Sequence, residues 1–270
     1  MKPALQKVGG LDQTLAEGSI YDTAQGRTID FEELLEQLAS VRVVYVGEQH
    51  TAADHHRIQL KIIQGLVGHG QKVSVGMEMF DHTYQERLDQ WSAGHMDWEA
   101  FLKRTHWYAN WKFDDTLYKD ILLYIKAEQL KLIGLNIPFH LPRKISIGGL
   151  NSLLARERKL LPRHIDTTQA EHRAYVEEVF IRHSIKKGRE FENFYAAQCA
   201  WEDGMARSVA ENLGDGSMVV IAGNGHIVRK FGIPDRAFKR SHAPFRTVYL
   251  ATPGMPVSVE DGDFIWMTSN

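Results

Sequence analysis

Two four-residue turns, Gly47-Glu48-Gln49-His50 and Gly223-Asn224-Gly225-His226, hold the residue types in this chain best suited to chemistry. Each follows an apolar, β-branched run, and in each a glycine precedes a histidine by three positions. Glycine at a strand end lets the backbone turn sharply and approach a ligand closely. Gly47, Gly223 and Gly225 therefore frame the two histidines, which can point back into the crevice beyond the strands. Glu78 closes a third apolar run. Two imidazoles and a carboxylate meeting at one point suit a divalent transition metal with open positions. Glu48 would then be a further ligand or the group that orients His50. The same set suits general acid–base catalysis without a metal. A single GxxH is short enough to be an ordinary turn histidine, but two of them at strand ends, with Glu78, weigh toward a shared site. His55 and His56, at the start of the next helix, and Asn136, at the end of another strand, fall where they would support it. His55 and His56 are not spaced i, i+4 from His50, so no HExxH-type pair is formed.

The elements that must position these residues alternate. Runs at Arg42–Val46, Lys72–Met77, Leu130–Leu135, Ser217–Ala222 and Arg246–Ala251 read as strands, and amphipathic helical patterns separate them. Such alternation implies an α/β fold: a mostly parallel central sheet with helices on both faces. Ligands in these sheets collect at the carboxyl ends of the strands, where GEQH, EMF, NIP and GNGH all fall. The expectation is one domain over 1–270 with about five parallel strands. Its core would come from roughly 41–90, 130–138 and 214–254, and an inserted helical lobe over the rim from roughly 91–129 and 139–213. Ser19–Ile29 reads as a hairpin around Gly26. Asp30 reads as a helix N-cap, with Glu33 completing a capping-box-like start.

Composition narrows the function classes. With 32 basic and 34 acidic side chains the formal charge is −2, which argues against a general nucleic-acid binder. The one basic cluster, Ile181 to Arg189, reads as a solvated helix end. The single cysteine, Cys199, cannot form an internal disulfide and sits in a helical pattern as a small hydrophobe. There is no transmembrane run. The chain as given reads as cytoplasmic; a periplasmic protein or a membrane-anchored lipoprotein is the alternative if a leader has been removed. No CxxCH, Walker A loop, GxGxxG or GxSxG is present. Aromatics are dense from Trp91 through Trp107, Tyr108 and Trp111 to Phe113. They read first as helix packing and otherwise as an apolar wall for a flat ligand, with Phe191, Tyr195 and Trp201 as a facing wall or as core.

Taken in order, VVYVGEQH, DHHRIQ, VGMEMFDHTYQERLDQWSAG, LKLIGLNIP, FYAAQCAWEDGMA and VVIAGNGHIVRKFGIP resemble the ChaN-like haem-binding family of the wider Tiki/ChaN group. The resemblance runs from about Val41 to Pro234. It implies that His50, His226 and Glu78 mark the group's shared site. It also implies two functions for one scaffold: haem binding for uptake or handling, favoured here and with a homodimer around the cofactor, or metal-dependent hydrolysis by His50, Glu78 and His226. Haem iron accepts His or Tyr, and Tyr84, Tyr108 and Tyr195 are the tyrosines nearest the motif blocks.

Overall fold

A computed structural model describes residues 5–182 and 190–269, so most of the basic cluster at 181–189 lies outside the described residues. Strands β1 (Leu5–Lys7) and β2 (Thr14–Ala16) form a small antiparallel pair. The main sheet contains β3 (Ile20–Asp22), β4 (Arg27–Ile29), β5 (Val43–Glu48), β6 (Val73–Asp81), β7 (Lys131–Asn136), β8 (Ser217–Gly223), β9 (Phe245–Ala251) and β10 (Phe264–Met267). Its order is β4-β3-β10-β9-β5-β8-β6-β7. The five expected strands are its parallel centre, β9-β5-β8-β6-β7. The sheet is larger than expected at one edge: β10 adds in parallel to β9, and the 19–29 hairpin joins β10 antiparallel. Phe264–Met267 is a four-residue apolar run near the chain end, too short to signal a strand by its own periodicity.

Alternate residues of the central strands go to opposite faces, as the pleat requires. Val44, Val46, Val75, Met77, Val219 and Ile221 face one layer, built from α1 (Phe31–Ala39), α2 (Ala53–Gly68), α3 (Gln85–Ser92), α4 (Trp98–Arg104), α5 (Trp107–Asn110) and α6 (Thr116–Ala127). Thus Trp91 and Trp107 are core residues of this layer, as the packing reading expected. Val43, Tyr45, Met218, Val220 and Ala222 face the other layer, which α10 (Phe191–Asn212) and α11 (Ile233–Ser241) cover. Between β7 and α10 the chain forms α7 (His140–Gly148), α8 (Ala155–Arg158) and α9 (Ala170–Arg182). Apolar residues of α7 and α9 pack with the first half of α10 in a core of their own.

Asp30 does cap α1, its side chain accepting from the Glu33 N–H at 2.9 Å. Glu33 does not close the capping box; its carboxylate pairs with Arg27 instead. Register levels the strand ends that matter. Gly47 lies opposite Ala222, Glu48 opposite Gly223, and Met77 opposite Ile221. The two GxxH turns therefore leave the sheet side by side at the height of Glu78, where β6 has ended its pairing with β8 and runs on irregularly beside β7 to Asp81.

Gly47 is required sterically. A Cβ there would come within 1.9 Å of Asn224 Oδ1 and 2.8 Å of Ile227 Cδ1. Asn224 cannot simply swing away, because its Nδ2 donates to the Leu250 carbonyl at 2.8 Å. Gly47→Ala should therefore cost about 1–3 kcal/mol, read as a lower urea midpoint at unchanged m-value. An unchanged midpoint would mean that the two turns do not abut.

Candidate functional site

The structure brings His50, Glu48, Glu78 and His226 together at the carboxyl ends of β5, β6 and β8. His50 Nδ1 donates to Glu48 Oε1 at 2.7 Å. The other edge of its ring lies over Gly223, where a Cβ would meet His50 Cε1 at 3.0 Å, Nε2 at 3.3 Å and Glu78 Oε2 at 3.6 Å. A side chain there would crowd the imidazole, which would have to shift by a few tenths of an ångström. Glu78 Oε2 accepts from the Gly223 N–H at 2.7 Å. Glu78 Oε1 faces His226 Nε2 at 3.5 Å, and His226 Nδ1 faces Glu202 Oε1 at 3.3 Å. Two imidazoles, each backed by a carboxylate on Nδ1, thus flank a single buried carboxylate.

Each part has its own support. Glu48 is buried and also accepts from the Tyr118 hydroxyl at 2.6 Å and from Gln59 Nε2 at 2.9 Å. His56 Nδ1 lies 3.3 Å from Glu48 Oε2, and its Nε2 lies 3.2 Å from the His50 carbonyl. Burial opposes the charged form of His56, but acceptors at both nitrogens favour it and raise its pKa. His55 turns the other way: its Nδ1 accepts from the Gln49 N–H at 2.9 Å, which props the first turn. Asn136 Nδ2 donates to the Glu78 carbonyl at 2.9 Å and so fixes that residue's backbone. Gly225 has no such role, since a Cβ there would meet nothing.

Charge follows burial and pairing. Burial pushes the Glu48, Glu78 and Glu202 carboxyls up, but their histidine partners outweigh it and hold all three below the ordinary range. Burial opposes the charged form of His226, yet Glu78 and Glu202 together raise it to about 10. His50 is raised in the same way, by its bond to Glu48 and by the charge of Glu78. Burial lowers His55 to about 4, consistent with its accepting role. Pairing thus favours the ionised form of each carboxylate and the protonated form of His50 and His226. The cluster can donate a proton from either imidazole, and it can accept one at Glu78. Among the described residues no group of three or more His, Cys, Asp or Glu side chains is set to hold a metal ion.

The three tyrosines fare differently. Tyr84 is half-buried, its hydroxyl 2.9 Å from His106 Nδ1. Tyr108 is 64% exposed, and its hydroxyl donates to Asp115, which pushes its pKa up to about 12. Tyr195 reaches no surface. It is buried in the α7–α10 core, stacked on Phe191, with its hydroxyl donating to the Gln169 carbonyl at 3.2 Å. Trp111 and Phe113 do reach the site, each with its ring centroid 4.8 Å from that of His50. Trp201 lies 5.1 Å from His226 in the same measure. Cys199 is buried, and burial pushes its thiol up to about 12, so it is no nucleophile.

Sequence reasoning missed Tyr118, Gln59, Glu202 and the groups behind Glu202. His172 Nε2 lies 3.1 Å from Glu202 Oε2, and Arg236 Nε 3.5 Å from the same oxygen. A signal for Glu202 was present: a carboxylate pair inside CAWEDGMA, where small residues mark a fully buried helix face. Nothing set Tyr118 apart from the chain's other tyrosines.

Fold and site together define an α/β protein with a polar cluster at the switch-point end of a parallel sheet. The haem-binding uptake family of the Tiki superfamily, ChaN, matches residues 34–237, and the chain belongs to that family. Its fold is similar to that of ChaN of Campylobacter jejuni, described as binding heme cofacially, at 18% identity and a TM-score of 0.74 over 92% of this chain and 95% of that one. An erythromycin esterase mutant in its open conformation shares the fold more loosely, at 16% identity and a TM-score of 0.50 over 88% and 80% of the two chains. The chain is also 22% identical to Protein RETICULATA-RELATED 5, chloroplastic, of Arabidopsis thaliana over 98% of its own length, and it spans 39% of that relative.

The raised value of His226 has a consequence for stability. A group whose folded pKa exceeds its ordinary 6.5 stabilises fully below that value, and the contribution fades as pH rises toward about 10. In a chelated buffer, the unfolding midpoint should fall as the pH is raised across that window, and His226→Gln should flatten the fall. A variant that loses stability in parallel with the native chain at every pH would show that His226 is neutral in the folded state.

Proposed function

We propose that this chain binds haem across the strand-end rim, for uptake or handling of the cofactor. Its family membership over residues 34–237 carries the reading. A haem site needs a flat apolar wall and a His or Tyr for the iron. The residues fit the first need. A cleft of about 230 Å³ is lined by Phe139, Pro142, Phe194, Ala197 and Trp201, with Arg143 as a cation for a propionate. It adjoins the polar cluster on both sides, through Phe139 against Trp111 and through Gln198 Nε2 at 3.2 Å from His226 Nδ1. Trp111 Nε1 and Trp201 Nε1 are buried without a hydrogen-bond partner, and such orphans suggest a ligand or water.

The cleft is smaller than sites that swallow a small molecule, usually about 300–1,000 Å³. A porphyrin would lie across its mouth with one face open. A second copy carrying a second haem would cover that face, which agrees with the cofacial binding named for the Campylobacter protein and makes a homodimer part of the proposal. For the iron, His50, Tyr108 and Tyr84 are the candidate donors that are not buried; Tyr108 must first give up Asp115, and Tyr84 must give up His106.

The convergence of His50 and His226 on Glu78 favours a second reading, hydrolysis by acid–base chemistry. An imidazolium would protonate the leaving group while Glu78 takes the proton of an attacking water. The metal-dependent form asks His50, Glu78 and His226, with Glu48 behind, to gather around an ion. As they stand they are not gathered around an ion: His226 Nε2 faces Glu78 Oε1 itself at 3.5 Å, and no three such side chains among the described residues are set to hold a metal.

Haemin titration read at the Soret band is the direct test. Saturation near one haem per chain is expected, with loss in Tyr108→Phe or His50→Ala identifying the ligand. The absence of a saturable shift would overturn the haem reading. Turnover of a simple ester such as p-nitrophenyl acetate separates the second reading. If it holds, Glu78→Gln and His226→Ala should each lose about 10²- to 10⁴-fold in rate while leaving haem affinity largely intact.

A further inference from the structure

A second cavity, of about 830 Å³, opens between α10, α11 and residues 159–166. It is walled by six Lys and Arg side chains against three carboxylates. Two of the carboxylates are already spent, and the third, Glu211, is a loosely held charge in a wall where cations outnumber carboxylates. Asp203 is held by both Arg236 and Arg240, and Asp166 by Lys239 at 3.2 Å. Glu211 stands 3.9 Å from Arg207 Nε, beyond hydrogen-bond reach. Three cations are left with capacity. Lys159 and Arg163 are exposed and make no ion pair among the described residues, and Arg207 Nε is buried without a hydrogen-bond partner.

The floor of this cavity is rigid. Arg236 is fully buried and anchored to Asp203 and to the Asp166 carbonyl at 2.9 Å. Unspent guanidinium and ammonium groups over a fixed floor suit phosphate oxygens, which accept several charge-assisted hydrogen bonds each. The volume falls in the range of small-molecule sites and exceeds what one phosphate fills. We propose that this cavity binds a small molecule carrying two or more phosphate groups. The proposal is independent of the strand-end site.

The test is calorimetric titration of the full chain with inorganic pyrophosphate and, separately, orthophosphate at low ionic strength. Saturable pyrophosphate binding is expected, tighter than orthophosphate and weakened by added salt. The double variant Lys159→Ala/Arg163→Ala should bind about tenfold or more weakly with an unchanged unfolding midpoint. If the double change lowers that midpoint, Arg163→Gln alone serves. No saturable binding, orthophosphate binding as tightly as pyrophosphate, or undiminished binding by the folded variants would each overturn the proposal.

Discussion

Three carboxylates buried at one end of the sheet dictate the rest of that end. Taking a carboxylate out of water costs several kcal/mol unless charge and hydrogen bonds replace the lost hydration. Glu48, Glu78 and Glu202 are each at most 2% exposed. Glu48 is compensated by His50, His56, Tyr118 and Gln59, and Glu202 by His172, His226 and Arg236. Glu78 sits between the two groups and draws on a backbone N–H and on imidazole from both. The carboxylates draw His226 and His50 toward the charged form, and the histidines in turn keep the carboxylates ionised. Removing one member leaves its partners buried and unpaired.

This mutual dependence explains what the amino-acid pattern revealed and what it hid. The two GxxH turns were legible because strand, glycine and histidine are local: adjacent residues set the turn, and a β-branched run announces the strand. Glu78 was legible for the same reason. The parallel centre of the sheet followed from the same runs. Tyr118 was hidden because it arrives from a helix 70 residues away from Glu48, and only packing decides which tyrosine of a helix turns inward. Glu202 and Arg236 were hidden because each lies inside a helix and looks like a solvated charge until its neighbours are known. The edge strand β10 was missed because its apolar run is short and completed by pairing. Tyr195 shows the opposite error: proximity to a motif in sequence placed it near the site, and helix packing put it in a separate core.

Family membership and site geometry answer different questions. The family match and the fold shared with the Campylobacter protein establish the scaffold, and scaffolds of this kind carry unrelated functions at their strand ends. In this chain an aromatic-walled cleft and a coupled His–carboxylate cluster share one rim. A ligand resting on the cleft would touch Trp201 and Phe139, which lean on His226 and on Trp111. The polar cluster would register such a ligand through these rings as well as through any direct contact with His50.

Glu202 and Asp203 are neighbours in one helix and share Arg236 of α11, yet their other partners differ: Glu202 faces His226 and His172, Asp203 faces Arg240. Successive residues of an α-helix project about 100° apart. The pair therefore works like a key on a shaft. Turning α10 by a single residue would withdraw both carboxylates from their partners at once. The rotational setting of a 22-residue helix is thereby locked by two adjacent side chains, and the groove walls that α10 presents to the cleft on one side and the basic cavity on the other are indexed to the same lock.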